Sequence, residues 1–266
     1  EWQTDALRAS ATNAKIEGDD ITATASTATT RLGNYTQIMG ESATISGTDD
    51  GLNKAGRAKE MAYQIRKRVK EIKLDAEKAL FLNNAKVAGN STTAREFAGA
   101  QTWFTSNTSN GSGGSDAAGT GADTRTAGTA RALTQTIFDG VMQSCWDNSG
   151  GQPRDVYLSS AQMDVCLGFT GMNNQRATIT ADSKKLVNAY DVYVTQWGTL
   201  TYKMSRECPT SEVFIIDPKM WECAELRTMK NFPLAKSGDS EKRGITWEWT
   251  LVAKNQASSG LIADLS

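Results

Sequence analysis

Residues 48–89 read TDDGLNKAGRAKEMAYQIRKRVKEIKLDAEKALFLNNAKVAG, and the organisation of the chain turns on this stretch. Thr48, Asp49 and Asp50 supply an N-cap and first-turn acids, which suit the positive end of a helix. No proline follows through Lys86, and helix-forming residues dominate. Ala58, Ala62, Ile65, Val69, Ile72, Ala76 and Ala79 alternate spacings of four and three, which places them on one helical face. Gly89 offers a stop. A helix over this span would be about 50 Å long. Its apolar stripe is largely alanine, so whatever packs on it approaches closely. The polar side is basic: Lys54, Arg57, Lys59, Arg66, Lys67, Arg68, Lys70 and Lys73 face only Glu60 and Glu71. Such a surface is either solvated or meets phosphates or an acidic partner.

On the N-terminal side the character changes. Residues 1–47 are rich in Thr, Ala and Ser, and Ile21 to Thr30 contains almost nothing else. A segment of this kind buries too little apolar surface to fold on itself, so it is disordered or ordered by lying on something else. Trp2, Leu7, Ile16, Leu32, Tyr35 and Ile38 are its few anchors. Glu17-Gly18-Asp19-Asp20 marks a bend or hairpin tip. Its three carboxylates do not have the spacing of a calcium-binding loop, which leaves a solvated turn or a salt-bridge partner.

On the C-terminal side, residues 105–128 are a Ser/Thr/Gly/Asn/Ala-rich run around Asn110-Gly111-Ser112-Gly113-Gly114-Ser115, and they read as a mobile exposed loop. No Gly-Lys-Ser/Thr follows, so this is not a phosphate-binding loop. Residues 129–205 alternate helix and strand signals. Leu133, Ile137, Val141 and Cys145 make an amphipathic helix, and Val156-Tyr157-Leu158 a short strand. Ser159 and Gln162 open a second helix as a capping box. Tyr190-Val192-Val194 and Leu200-Tyr202-Met204 alternate as strands around a turn at Gln196-Trp197-Gly198. Residues 206–266 are mainly β. Val213 to Ile216 is a short strand stopped by Asp217-Pro218. Ile245, Trp247, Trp249 and Leu251 share one face of a longer strand, with Thr246, Glu248 and Thr250 on the other.

Composition narrows the chemistry. The 266 residues carry a formal charge of -1 and no histidine. Missing histidine removes the commonest general base and transition-metal ligand, and with them any Ser-His-Asp or Cys-His arrangement. Cys145, Cys166, Cys208 and Cys223 form no C-x-x-C pair, so they read as reduced, small hydrophobes. No apolar run approaches a membrane span, and no secretory signal is visible. No cofactor, metal site or catalytic constellation is expected, and the chain reads as a non-enzyme.

The residues then resemble a known family. Glu17-Gly18-Asp19-Asp20, Arg31-Leu32-Gly33-Asn34-Tyr35-Thr36-Gln37-Ile38 and Ser46-Gly47-Thr48 leading to Ala55-Gly56-Arg57 carry the resemblance. Ala98-Gly99-Ala100 with Trp103, Asp217-Pro218 with Trp221, and Leu234 through Arg243 continue it in order along nearly the whole chain. Together they are similar to tailed-bacteriophage major capsid proteins. That resemblance implies the α+β Hong-Kong-97-like fold, with an extended E-loop, a P-domain holding a long spine helix and a β-sheet, and an A-domain. Residues 1–47 correspond to the E-loop region, 48–104 to the P-domain with its spine, and 105–128 to a flexible loop. Residues 129–205 correspond to the A-domain, and 206–266 to strands returning to the P-domain.

It also implies hexamers and pentamers of one chain tiling an icosahedral shell, assembled in the bacterial host cytoplasm. The shell encloses double-stranded DNA held by non-specific contact, with portal and decoration or scaffolding proteins as further partners. Opposite local charge suggests that Glu17, Asp19 and Asp20 of one copy meet Arg66, Lys67 and Arg68 of another. An encapsulin-like cellular shell shares the fold, which does not by itself decide function. A secreted adhesin or surface-layer protein would suit only the Thr/Ser/Gly richness.

Overall fold

One long helix packs against two sheets in this computed structural model, which describes residues 1–5, 7–21, 24–52, 56, 59–149, 151–169 and 192–266. The chain opens with a short antiparallel ladder, β1 (Trp2–Thr4) on β2 (Thr30–Leu32). Next come β3 (Gln37–Ser46) and a one-turn helix α1 (Gly47–Gly51), where Ser46 Oγ accepts from Asp49 N at 3.2 Å. The long helix α2 spans Glu60–Phe81.

The helix is shorter than its sequence promises. Its 22 residues rise about 33 Å rather than 50 Å. At the front, the backbone leaves the helical region at Leu52 (ψ 137°), and Gly56 sits at φ +78°, which an L-residue helix does not tolerate. Ala58 lies outside the described residues. Ala62 is exposed and Met61 is buried instead, while Ile72, Ala76 and Ala79 hold the expected face. At the far end tertiary hydrogen bonds win over helix propensity. Asn83 Nδ2 donates to Arg125 O (2.8 Å) and Asn84 Nδ2 to Phe97 O (2.9 Å), so the chain turns away after Phe81. Gly89, the expected stop, falls in the following loop at φ +73°.

Beyond α2 lie a 3-10 turn (Ala100–Trp103), β4 (Thr108–Ser109), α3 (Gln135–Ser149), β5 (Asp155–Leu158) and α4 (Ser160–Leu167). The remaining strands are β6 (Val192–Thr195), β7 (Gly198–Met204), β8 (Val213–Ile216), β9 (Trp221–Pro233), β10 (Ser240–Ala253) and β11 (Gly260–Ile262). Tyr190 lies outside the described residues; the other expected strands and both expected helices of this region are present. Ser159 caps α4 at Gln162 N, but the Gln162 side chain donates to Thr210 O (2.8 Å) instead of closing the box.

Two sheets result. One is antiparallel, in the order β3-β10-β9; the other is mixed, in the order β4-β11-β8-β5-β7-β6. On the mixed sheet α3 and α4 bury Phe138, Val141, Met142, Met163 and Cys166 against Val156, Leu158, Leu200, Val213 and Ile215. A second core joins the C-terminal half of α2 to both sheets. There Ala76, Ala79 and Phe81 meet Phe214 and Leu261 from the mixed sheet and Trp249 and Leu251 from the antiparallel one. A smaller cluster of Ala43, Ile45 and Met61 seats the front of α2 on β3.

The β10 alternation is interrupted. Ile245, Trp249 and Leu251 are buried as expected, but Trp247 is only half-buried, while Glu248 and Thr250 are buried. The register against β9 shifts on both sides of Glu248, and such bulges re-aim side chains. Other segments cover the face expected to meet solvent: Thr250 Oγ1 donates to Tyr35 O (2.7 Å), and Thr36 Oγ1 to Glu248 Oε1 (2.7 Å).

The polar run 105–128, expected as a mobile exposed loop, is folded into the body. Asn107, Gly111, Ala117, Gly121 and Arg125 are buried, and β4 adds a parallel strand to β11. Gly111 is required, because a Cβ there would lie 2.1 Å from Thr129 O. Arg125 organises the segment. Its Nη2 reaches Asp264 Oδ1 at 2.7 Å and Glu212 Oε1 at 3.5 Å, and its Nε donates to Gln101 Oε1 at 3.1 Å. Gln101 Nε2 in turn donates to Phe81 O at the end of α2 (2.8 Å). Burial pushes the Glu212 carboxyl above its usual range, against the pull of Arg125. Removing one partner of a buried ion pair strands the other charges, at about 3–5 kcal/mol. Arg125→Met is therefore expected to destabilise the subunit by about that amount, measured as a shift of the urea unfolding curve of unassembled protein.

Candidate assembly surface

Four features stand out on the described surface. The first is the arm that leaves the body between β1 and β2. All its described residues between 5 and 29 are exposed, including Leu7 (100%), Ile16 (78%) and Ile21 (86%). Its tip is a turn in which Asp19 N donates to Ile16 O (3.1 Å) and Gly18 takes φ +83°. Glu17, Asp19 and Asp20 are thus gathered at the tip, all in water.

The second is the foot that holds this arm. Trp2 leans on Trp103 at 5.3 Å between ring centroids. Lys86 Nζ donates to Gly33 O (2.6 Å) and Thr120 O (2.8 Å). Asn34 clamps two strands of backbone, donating to Leu251 O (2.9 Å) and accepting from Ala98 N (2.8 Å). Nearby, Glu248 receives Arg95 on one oxygen and Arg227 Nε on the other (2.6 Å). The Thr36 hydroxyl first, then Arg227 and Arg95, hold the Glu248 carboxyl below its usual range against the opposing effect of burial. Sequence reading missed this clamp because Glu248 alternates in the sequence like a solvent-facing residue; the β10 bulges and the arrival of Thr36, Arg95 and Arg227 from other segments enclose it.

The third is the basic side of α2. Arg66 and Lys67 are exposed and Arg68 half-buried. Arg68 Nη1 binds Glu71 Oε2 (2.8 Å) and approaches Glu41 (3.7 Å), and Lys67 lies 3.9 Å from Glu71. Among the described residues no ion pair reaches Arg66, Lys70 or Lys73, and none joins the basic group to Glu17, Asp19 or Asp20 of the same chain. Lys54 and Arg57 lie outside the described residues. The fourth is β9, an edge strand exposed along most of its length, with Leu226 at 66% and Phe232 at 38% exposure. The bulges beside Glu248 blunt it as a template for uncontrolled pairing.

Among the described residues no group of three or more acidic or cysteine side chains is placed to hold a metal. No helix is long and apolar enough to cross a membrane, among the described residues. Comparison with known proteins agrees over the full length, since residues 1–266 match the SU10 major capsid protein family.

The chain belongs to the SU10 major capsid protein family.

It is a non-enzymatic structural protein of the tailed-phage virion. The major capsid protein of Escherichia phage Phieco32 is 26% identical to it over 298 residues, covering 98% of this chain and 84% of that protein. Solved shells share the fold. The cyanophage A-1(L) capsid matches with a TM-score of 0.59 at 11% identity, over 86% of this chain and 77% of the other. The satellite phage P4 procapsid matches with a TM-score of 0.54 at 10% identity, over 99% and 82%. The SrpI encapsulin of Synechococcus elongatus PCC 7942 matches with a TM-score of 0.53 at 8% identity, over 87% and 74%. At that identity the encapsulin shows the Hong-Kong-97-like fold alone. Family membership sets aside both the cellular shell and the adhesin readings.

The Glu248 clamp gives this capsid protein a defined acid response. A carboxyl whose folded pKa is depressed adds stability above its unfolded pKa and loses it as pH falls through the folded value. Glu248→Gln is expected to be less stable than wild type at neutral pH. The gap should close below the carboxylate range, as read from denaturation midpoints at neutral and acid pH.

Proposed function

We propose that copies of this capsid protein form the hexamers and pentamers of an icosahedral head, each laying its arm over an adjacent copy. On this reading residues 1–47 are the E-loop region, 48–104 and 206–266 the P-domain, and 129–205 the A-domain around the local axis, with 105–128 beside it. The observation that carries it is the arm itself: three large aliphatic side chains stand almost fully in water on a segment with too little apolar content to fold back. Rings of one chain require heterologous contacts, in which a surface of one copy meets a different surface of the next. An arm and a body supply such unlike surfaces.

The acidic tip then approaches the basic side of a neighbour's α2. Of the three cations expected there, Arg66 is available without breaking an internal bond, whereas Lys67 and Arg68 share Glu71. Lys70 and Lys73 lie on the same helical side as Arg66. Basic faces turned to the interior would screen packaged DNA without reading its sequence. Portal and decoration or scaffolding proteins are further partners on this reading.

Like charges placed across an interface cost several kcal/mol. Reversing the tip (Glu17→Lys, Asp19→Lys, Asp20→Lys) or the helix (Arg66→Glu, Lys70→Glu) should raise the concentration needed for particle formation by about tenfold or more. Combining the two sets should restore it, as followed by sedimentation, with circular dichroism to show that each variant is folded. Folded single-set variants that assemble like wild type, or a combined variant that stays unassembled, would remove this pairing.

A further inference from the structure

Arg66, Lys70, Lys73, Glu77 and Leu80 follow spacings of four, three, four and three, so one face of α2 carries all five. The first three are exposed and basic. At the Leu80 end this track runs into an open groove of about 250 Å³ floored by Leu80, Tyr157, Ile216 and Trp221, with Cys223 and Glu222 at its side. The lining is mainly apolar, and a cavity of about 150 Å³ is enough to take benzene. The groove therefore has room for an aliphatic side chain and the stem of its neighbour.

Its rim is acidic. Glu222 is paired with Lys254 at 2.6 Å. Glu77 accepts from Ser205 Oγ at 2.6 Å, and no cation reaches it among the described residues. The track thus changes from basic, over Arg66 to Lys73, to apolar with a spare carboxylate. The arm changes in the opposite sense. Its tip holds Glu17, Asp19 and Asp20, and ten residues before Glu17 stands Leu7, fully exposed and followed by Arg8.

Spacing selects among the arm's aliphatic residues. From Arg66 to Leu80 the helix rises about 21 Å. An extended chain of ten residues reaches about 33 Å, so Leu7 spans the distance with the tip acids on Arg66 and Lys70. Ile16 and Ile21 adjoin those acids in sequence and cannot leave them by a comparable distance.

We propose that the groove receives Leu7 of a second copy, with Arg8 of that copy set against Glu77. This rests on the arm lying across a neighbour, and it adds the register: the arm runs along α2, its tip toward Arg66 and its base toward Leu80.

Cys223, which is exposed and lines the groove, provides the test. Leu7→Cys protein is co-assembled with an excess of wild-type subunits, so that particle formation does not depend on the variant. Diamide then takes two electrons and two protons from the facing thiols, leaving an S–S bond between copies. A covalent dimer on a non-reducing gel is expected, lost when the wild-type partner is replaced by Cys223→Ser and absent for Thr12→Cys. No dimer, a dimer that survives Cys223→Ser, or an equal yield from Thr12→Cys would overturn the assignment. Limited proteolysis separates the two levels. An arm protected in particles but not joined to Cys223 means that draping holds and the groove is wrong. An arm cleaved as readily in particles as in free subunits means that draping itself fails.

Discussion

The close approach of α2 to two sheets at once is the contact on which the rest of the molecule depends. Ala76 and Ala79 bring the helix axis near enough for Phe81 to meet Phe214 of the mixed sheet at 5.1 Å between ring centroids. The same core holds Trp249 of the antiparallel sheet, itself 4.7 Å from Phe97. A larger residue at either alanine would push the sheets apart, because cores at crystal-like density have no slack to absorb added methylenes. Everything the surface presents is hung from this joint: the arm's foot through Trp103, the groove through Leu80 and Tyr157, and the basic ridge through the helix itself.

A second constraint is polar. The segment from Asn107 to Arg125 enters the interior with little apolar content, and its buried groups must be matched one by one. Arg125 does this for two acids, a glutamine and, through that glutamine, the last carbonyl of α2. Asn107 donates to Ala257 O and to Ser259 O while its own oxygen accepts from Ser144 and Asn148. Buried networks of this kind are demanding rather than strongly stabilising, since each member left alone is penalised. They fix one arrangement of the C-terminal strand β11 against α3, which suits a subunit that must present the same surfaces in every copy.

The arm shows the opposite economy. Ordering a residue's backbone opposes folding by about 1–2 kcal/mol, and burying a Leu or Ile side chain returns about 1.5–3 kcal/mol. Three such side chains spread over residues 5–29 do not compensate within one chain, so the segment stays outside the core. On the proposed draping, hydrogen bonds and charges met on another copy add the remainder, and assembly and ordering of the arm become one event.

Much of this was legible in the sequence, for a physical reason. Periodicity reports burial on one face, so the stripe from Ile72 to Ala79, the short strand at Val213 and the amphipathic α3 could be read directly. Composition set the arm at residues 1–47, but only the described part of 5–29 stands in water, because 37–46 pairs with β10 and buries Ala43 and Ile45. The ordered residues from Glu17 to Arg243 that resemble the family carried the capsid-protein function. What only the tertiary structure decided is where polar residues go. Glu248 alternates like a surface residue until Arg95, Arg227 and Thr36 arrive from distant segments, and the glycine-rich run around Gly111 looks like solvent until Arg125 is placed on Asp264. Composition and spacing encode the average preference of a residue for water, whereas a buried charge or a helix stopped by Asn83 depends on partners that meet only when the chain is folded.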